Sequence, residues 1–310
     1  MLELLISEPV KIRLDRFLRQ KFTYFTQGII EKNLRKGTIK VNKKNVKSNT
    51  RLYKGDIVIV AHYLIRNVSY PLQLNYFSFS IVSLAHKILN EYLIFSCDYF
   101  IIVNKPHGLA TQGGSKIRIS VDHALQYLNK AQKHYYRLVH RLDKNTSGVL
   151  IIAKTLSSSI LLAEAFREKE IKKTYLAIVS GNTDSLSKTG VIESYINKDR
   201  SGIHEVVKET KDGKFAKTSY TILASDKTTT MIKYNPLTGR MHQLRYHSKQ
   251  LGFPILGDMK YGDVPFKRMM LHASEIIIPA KIFGQKYMIE ASLDNSFEVY
   301  IKKLKIFIST

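Results

Sequence analysis

Between residues 175 and 235, apolar β-rich runs follow one another with no helical segment between them. Tyr175–Val179, Val191–Ile196 and Ser219–Leu223 have strand-like lengths and are separated by polar turn residues. Strands joined this way pair antiparallel, because a parallel connection needs a long crossover, usually a helix. The pattern excludes a doubly wound fold. It predicts an α+β domain on a largely antiparallel or mixed sheet. Further strands are predicted at Tyr99–Val103, Val149–Ala153 and Glu275–Ile278, and helices at Ser120–Asn129, Leu156–Glu168 and Arg240–Leu251.

The first 60 residues read as a separate small α/β block. Leu14, Phe17, Leu18 and Phe22 recur at helical spacing, with Arg13, Arg16 and Arg19 between them. A second helix is predicted over Gln27–Lys36, with Ile30 and Leu34 inward and Gly37 at a left-handed cap position. Lys32, Arg35 and Lys36 load its last turn, where cations suit the helix dipole. Ile39, Val41, the turn residues Asn42–Asn45 and Val46 read as a short hairpin. Lys54-Gly55-Asp56 turns the chain into a strand at Ile57–Val60. Residues 61–90 hold no acidic residue and no clean period, and read as a connector, irregular at Asn67–Pro71. Residues 91–310 make the larger domain.

Charge narrows the partners. The chain has 49 lysines and arginines against 25 acidic residues, a formal net charge of +24, and the first 60 residues alone hold 14 against 5. Such a surplus costs self-repulsion, and an anionic partner relieves it. Nucleic acid is the leading candidate, because phosphates attract the surface and release counterions on binding. A lysine-rich composition alone would give the same surplus. The single cysteine, Cys97, excludes an internal disulfide and a multi-cysteine metal site. It is expected to be a buried thiol in a reducing compartment. No apolar run approaches the ~18 residues needed to span a bilayer. Met1–Glu8 carries acids early and no basic leader, so a cytoplasmic protein without signal or transit peptide is expected.

One segment concentrates chemistry: Leu138-Val139-His140-Arg141-Leu142-Asp143-Lys144-Asn145-Thr146-Ser147-Gly148-Val149-Leu150. It sets one carboxylate between two cations, in a loop leading into an apolar strand. Thr146, Ser147 and Gly148 are turn formers, so Asp143 is expected at a strand mouth. A nearby cation favours the charged form of a carboxylate, the form a nucleophile needs. An isolated Arg-x-Asp is most often an ordinary ion pair or turn cap. The complete string His-Arg-Leu-Asp-x-x-Thr-Ser-Gly, however, resembles the signature of the RluA-like pseudouridine synthases.

Other segments resemble that family in its order. They are Asn104-Lys105-Pro106-His107-Gly108-Leu109, Lys173-Thr174-Tyr175, Pro236-Leu237-Thr238-Gly239-Arg240-Met241-His242-Gln243-Leu244-Arg245-Tyr246-His247, Gly257-Asp258 with Tyr261-Gly262, and Leu271-His272-Ala273. The resemblance covers residues 91 to 275. His107 is not the commonest residue at its place, and Ile278-Pro279-Ala280 stands where a His-Pro dipeptide is frequent. The first block, through Arg13-Leu14-Asp15-Arg16-Phe17-Leu18 and Gly37-Thr38-Ile39-Lys40-Val41-Asn42, resembles an S4-type RNA-binding domain. Within the family the chain is most similar to the C- and D-type enzymes that modify large-subunit ribosomal RNA. Gln112-Gly113-Gly114-Ser115 leans toward the C type.

The resemblance implies an isomerase that converts uridine to pseudouridine, with Asp143 catalytic and no cofactor. It implies that Arg141 fills the place of an extruded nucleotide, that Tyr175 packs on the uracil and that Arg245 pairs with Asp143. Leu142 and Leu244 would keep the pocket dry. Lys173, Arg240 and the amino-terminal Arg13, Arg16, Lys32, Arg35, Lys36, Lys40 and Lys43 would hold phosphates. A monomer is expected. A transfer-RNA synthase and a non-catalytic RNA-binding or ribosome-assembly factor are the alternatives. A metal enzyme is not supported: His242 and His247, five apart on a predicted helix, cannot share a ligand face as an i, i+4 pair would. Gly113-Gly114 lacks the Lys-Ser/Thr of a phosphate loop, and Ser147 and Ser157–Ser159 lack a nucleophile elbow.

Overall fold

The computed structural model describes residues 1–6, 12–22, 25–65, 79–114, 117–131, 135–199 and 206–304. Asn67–Pro71 and Ser115 lie outside these residues. The chain divides into two compact units, Met1–Asn75 and Tyr76–Thr310.

The first unit runs β1 (Leu2–Leu5), β2 (Ile12–Arg13), α1 (Leu14–Lys21), α2 (Gln27–Arg35), β3 (Ile39–Val41), β4 (Arg51–Leu52) and β5 (Ile57–Val60). Strands β1, β5 and β3 form an antiparallel sheet in that order. The periodic residues Leu14, Phe17, Leu18, Ile30 and Leu34 pack on Ile39, Val58 and Val60, as a helix face on a sheet requires. Gly37 takes φ +67 after α2, the left-handed stop expected there. The hairpin expected over residues 39–46 is reduced to its turn: Val41 and Lys44 exchange backbone bonds at 3.1 and 2.9 Å, but no strand forms at Val46. Val41 makes only an isolated bridge to Lys44, and β3 pairs with β5 instead. The turn is drawn to β5 because the Asn42 carboxamide accepts the Ile57 N–H at 2.8 Å and donates to Asp56 at 2.7 Å.

The second unit contains α3 (Phe79–Asn90), β6 (Leu93–Ser96), β7 (Phe100–Lys105), α4 (Val121–Ala131), β8 (Arg137–Leu138), β9 (Ser147–Ala153), α5 (Leu156–Arg167) and β10 (Lys172–Ser180). Then follow β11 (Thr189–Asp199), β12 (Val206–Glu209), β13 (Lys214–Ser225), β14 (Thr229–Pro236), α6 (Gln243–Gln250), β15 (Leu271–Ile278), α7 (Ala280–Phe283), β16 (Tyr287–Glu290) and α8 (Asn295–Lys303). The strands make an eleven-stranded sheet, ordered β12-β11-β13-β14-β10-β15-β9-β7-β6, with β16 on β15 and β8 on β9. The mixed character rests on one contact: among the named strands only β9 and β15 run parallel, with His272 opposite Ser147 and Ala273 opposite Gly148.

That contact needs its glycine. Gly148 has φ +108, and a Cβ there would clash with the Ala273 carbonyl. The approach brings β15 against the strand that starts just after Asp143. Residues 79–90, read above as connector, form α3, whose Leu84, Ala85 and Ile88 pack with Val121, Ala124 and Leu125 of α4. Cys97, expected to be buried, is half-exposed in the turn between β6 and β7, with its thiol 3.6 Å from the Phe100 carbonyl.

Two fully buried histidines pin the sheet to its neighbours. His247 of α6 bonds Ser194 of β11 and Thr218 of β13, both at 2.9 Å. His272 of β15 bonds the Ser147 hydroxyl at 2.8 Å and the Ala291 carbonyl at 3.1 Å. Burial pulls each ring down to about 4, whereas an unfolded histidine titrates near 6.5. Below about pH 6.5 the unfolded chain therefore binds protons that the native state refuses, and stability falls as pH falls. By pH 5 this amounts to about 2 kcal/mol per ring. Thermal melts at pH 7 and pH 5 are expected to differ by about 10 °C, the acid sample melting lower. Equal midpoints would contradict the neutral, buried assignment.

Candidate active site

The loop between β8 and β9 carries Asp143, and its neighbours fix it. Thr111 clamps Leu142 twice, its hydroxyl donating to the Leu142 carbonyl at 2.7 Å and accepting the Leu142 N–H at 3.2 Å. The Asp143 carbonyl accepts the Thr146 N–H at 3.1 Å, closing the turn that the Thr-Ser-Gly sequence anticipated. His140 accepts the Ile151 N–H at 2.9 Å through Nε2 and stacks on Phe166, with centroids 4.6 Å apart. Burial pulls His140 down to about 3, so the first residue of the motif is a neutral structural acceptor. The Ser147 hydroxyl accepts from Arg268 at 2.7 Å. Arg268 is itself paired with Asp294.

Lys105 is the least expected member of this support. It is wholly buried, and its ammonium donates to the carbonyls of Pro106, Leu109 and Lys144, the last at 3.3 Å. It thus ties the loop after β7 to the Asp143 loop. Burial draws it down to about 7, opposed by the pull of Asp143. The sequence showed Lys105 in a recognisable segment but gave no sign that it would lie beneath the loop.

Asp143 opens into a cleft. Its walls include Arg141, Leu142, Lys173, Tyr175, Arg240, Leu244 and Arg245, which are all the larger-domain residues singled out from the sequence. Arg141 and Arg240 are exposed, and Leu142 and Leu244 are buried. The Arg240 guanidinium donates to the Phe215 carbonyl at 3.0 Å. Burial lowers Lys173 and raises Tyr175, the latter with a further push from the Asp143 charge. Tyr175 is therefore a neutral phenol.

The expected contact between Arg245 and Asp143 is present, at 3.5 Å, but it is the weaker half of the arrangement. Arg245 forms a two-pronged bond with Asp258, at 2.7 and 2.6 Å, and both side chains are almost fully buried. Such paired geometry is the strong form of a charge-assisted bond. Arg245 also lies over the Tyr261 ring, 5.0 Å from its centroid. In the sequence Asp258 stood out only as part of the Gly257-Asp258 segment of the resemblance, with no partner assigned to it.

Helix α6 begins later than expected. Arg240, Met241 and His242 precede it, and His242 has φ +53. The Gln243 carboxamide causes this start, accepting from Thr238 and from the Arg240 N–H and donating to Lys217 and Thr218. His242 is thereby turned toward Asp143, with Nε2 3.7 Å from Oδ2.

The amino-terminal residues belong to the other unit. Arg13 is engaged by buried Asp15 at 2.6 Å, and Lys40 is half-buried. Arg16, Lys32, Arg35, Lys36 and Lys43 are exposed. Among the described residues no group of three or more His, Cys, Asp or Glu side chains could hold a metal ion. No described helix is long and apolar enough to cross a membrane.

The chain is 43% identical over 298 residues to the ribosomal large subunit pseudouridine synthase C of Rickettsia bellii, across 94% of this chain and 98% of that one. It is an RNA pseudouridylate synthase. The synthase matches the family described as RNA pseudouridylate synthase over residues 99–250, which span the Asp143 loop and α6. It is also 33% identical to the ribosomal large subunit pseudouridine synthase C of Vibrio cholerae, over 94% and 93% of the two chains. Its fold is similar to the solved structure of human RNA pseudouridylate synthase domain containing 4. The TM-score is 0.62 at 25% identity, covering 76% of the synthase and all of the human chain.

Proposed function

We propose that this synthase isomerises defined uridines of large-subunit ribosomal RNA in the cytoplasm, with Asp143 as the catalytic residue. The observation that carries the reading is the placement of Asp143. The Arg245 guanidinium and the His242 ring both approach it at Oδ2, and it shares one cleft wall with Tyr175. The target class follows from the relatives' names and their coverage of nearly the whole chain.

The reaction breaks the N1–C1′ bond, turns the base, joins C5 to C1′, and moves a proton off C5 while N1 gains one. Atoms and electrons balance within the nucleotide, so the protein must supply access, a carboxylate and room to turn. Access requires the nucleotide to leave the stack. Exposed Arg141, at the lip of the cleft, takes the vacated place and meets phosphate. Asp143 attacks C1′, adds to C6 or removes a 2′ proton, and these routes share one requirement, an ionised carboxylate facing the nucleoside near its glycosidic bond. Tyr175 packs on the uracil. As a neutral phenol it passes the C5 proton on rather than taking it as a phenolate. Lys173 and Arg240 hold the flanking phosphates.

We assign the amino-terminal unit as the S4-type module, with Arg13, Arg16, Lys32, Arg35, Lys36, Lys40 and Lys43 on its RNA face. Replacing Lys32, Arg35 and Lys36 together by alanine is expected to weaken RNA binding and to flatten the slope of log K against log salt by about 2 to 3. Filter binding across a salt series checks this, and an unchanged slope would remove the block from the interface. The function itself is tested by mapping pseudouridines in ribosomal RNA from cells with and without the gene. Loss of one or a few large-subunit sites is expected. Unchanged ribosomal RNA with a lost transfer-RNA site would move the target.

A further inference from the structure

His242 belongs to no role assigned so far, yet its surroundings specify its chemistry. Its Nδ1 lies 2.9 Å from the Tyr261 hydroxyl, and that hydroxyl already accepts the Val207 N–H at 2.7 Å. Tyr261 is buried and the His242 side chain nearly so. A phenol has one proton to give. If His242 carried its own proton on Nδ1, two N–H groups would point at the phenol oxygen and the phenolic proton would lack an acceptor. The bare Nε2 lone pair would then face the Asp143 carboxylate. Both arrangements are costly in a buried site. With the phenol donating to Nδ1, the phenolic proton and the Nδ1 lone pair are both satisfied and the ring proton sits on Nε2, on the side of Asp143 Oδ2.

The charged and titratable groups facing the ring are Asp143, Arg245, Lys260, Asp258 and Tyr261. Burial outweighs the pull of Asp143 and holds the ring near 4, so it is neutral at pH 7. The left-handed backbone at His242 is what aims the ring in this direction.

We propose that His242 is a positioning residue for the catalytic carboxylate: Tyr261 fixes it as the Nε2–H tautomer, and that N–H, with Arg245, holds Oδ2 so that Oδ1 is the oxygen offered to the uridine. This rests on the reading of Asp143 given above. The 3.7 Å separation is an electrostatic contact rather than a formed hydrogen bond. Contacts of this kind tighten when substrate completes the site. The chain Val207–Tyr261–His242–Asp143 also links the edge strand β12 to the reacting carboxylate.

The test compares three variants with the wild type. His242→Asn suits the left-handed backbone, but its amide ends near the level of Nδ1. It is expected to lose about a hundredfold in kcat with KM little changed, as for loss of one placed donor. His242→Gln, which carries an N–H near the level of Nε2, is expected to recover most of that loss. Asp143→Asn is run beside them. In parallel, nitrogen NMR of the histidine-labelled wild type, with His242 identified by the resonances missing from His242→Gln, is expected to show protonated Nε2 and bare Nδ1 at pH 7. A proton on Nδ1, or an imidazolium, overturns the proposal even where a variant folds poorly. So does a fully active His242→Asn, or equal impairment of folded Asn and Gln variants. An inactive Asp143→Asn beside a fully active His242→Asn sinks only this inference, whereas an active Asp143→Asn sinks the reading beneath it.

Discussion

Asp143→Asn is expected to lower turnover by about a thousandfold or more while RNA affinity stays within about threefold. The two side chains have nearly the same shape, so the difference is one negative charge and the ability to attack or stabilise positive character at the sugar. The surrounding structure has little reason to move. The turn at this position is closed through the Asp143 backbone carbonyl, which asparagine retains. Arg245 keeps its two bonds to Asp258, so no buried cation is left without a partner. Removing a carboxylate from a cleft lined by Arg141, Lys173, Arg240 and Arg245 also leaves its attraction for an anionic RNA no worse. Filter binding and a thermal melt of the variant, beside its turnover number, give the check. A parallel fall in affinity would point to a structural part for Asp143.

Asp258→Asn is expected to do something different, lowering stability and activity together. Its carboxylate is the principal partner of a guanidinium that is itself nearly buried. Breaking a buried pair by removing one charge costs about 3 to 5 kcal/mol, because the other charge is left uncompensated. For a unit of this size that is a fall in melting midpoint of about 10 °C. The freed Arg245 has one remaining anion in reach, Asp143, and a closer pairing there would draw the carboxylate away from the substrate. Adding Arg245→Met to Asp258→Asn is expected to restore part of the stability and none of the activity, since the stranded charge is gone but so is the contact to Asp143. Calorimetry on the single and double variants measures this, and a midpoint unmoved by Asp258→Asn would contradict the pairing.

Much of the site was legible because its chemistry is local. The Asp143 loop carries carboxylate, turn and strand entry within a dozen residues, and the larger-domain side chains named from sequence do line one cleft. The strands from 175 to 235 were legible for the same reason, since period and turn signals act over short windows. What was not legible is long-range. Nothing in the order of residues says that a guanidinium chooses Asp258, 13 positions away, over Asp143, 102 positions away. Burial and two-pronged geometry decide it. Nor does the sequence show that Lys105 will lie under the Lys144 carbonyl, or that β9 and β15 meet side by side through Gly148. Helix α3 was missed for a different reason. Leu84, Ala85 and Ile88 do have helical spacing, but the unpatterned stretch before them diluted the period. His242 was weighed as a metal ligand on a helix. A single left-handed residue put it outside the helix and against Asp143.

The central claim is that an ionised carboxylate at position 143 exchanges the base's bond from N1 to C5, which releases the hydrogen on C5. Tritium release from large-subunit ribosomal RNA labelled at C5 of uridine measures that event directly. The wild type is expected to release tritium to a fixed stoichiometry of one or a few sites per RNA, and Asp143→Asn to release none above background. RNA that is bound without release by the wild type, or released equally by Asp143→Asn, would contradict the account.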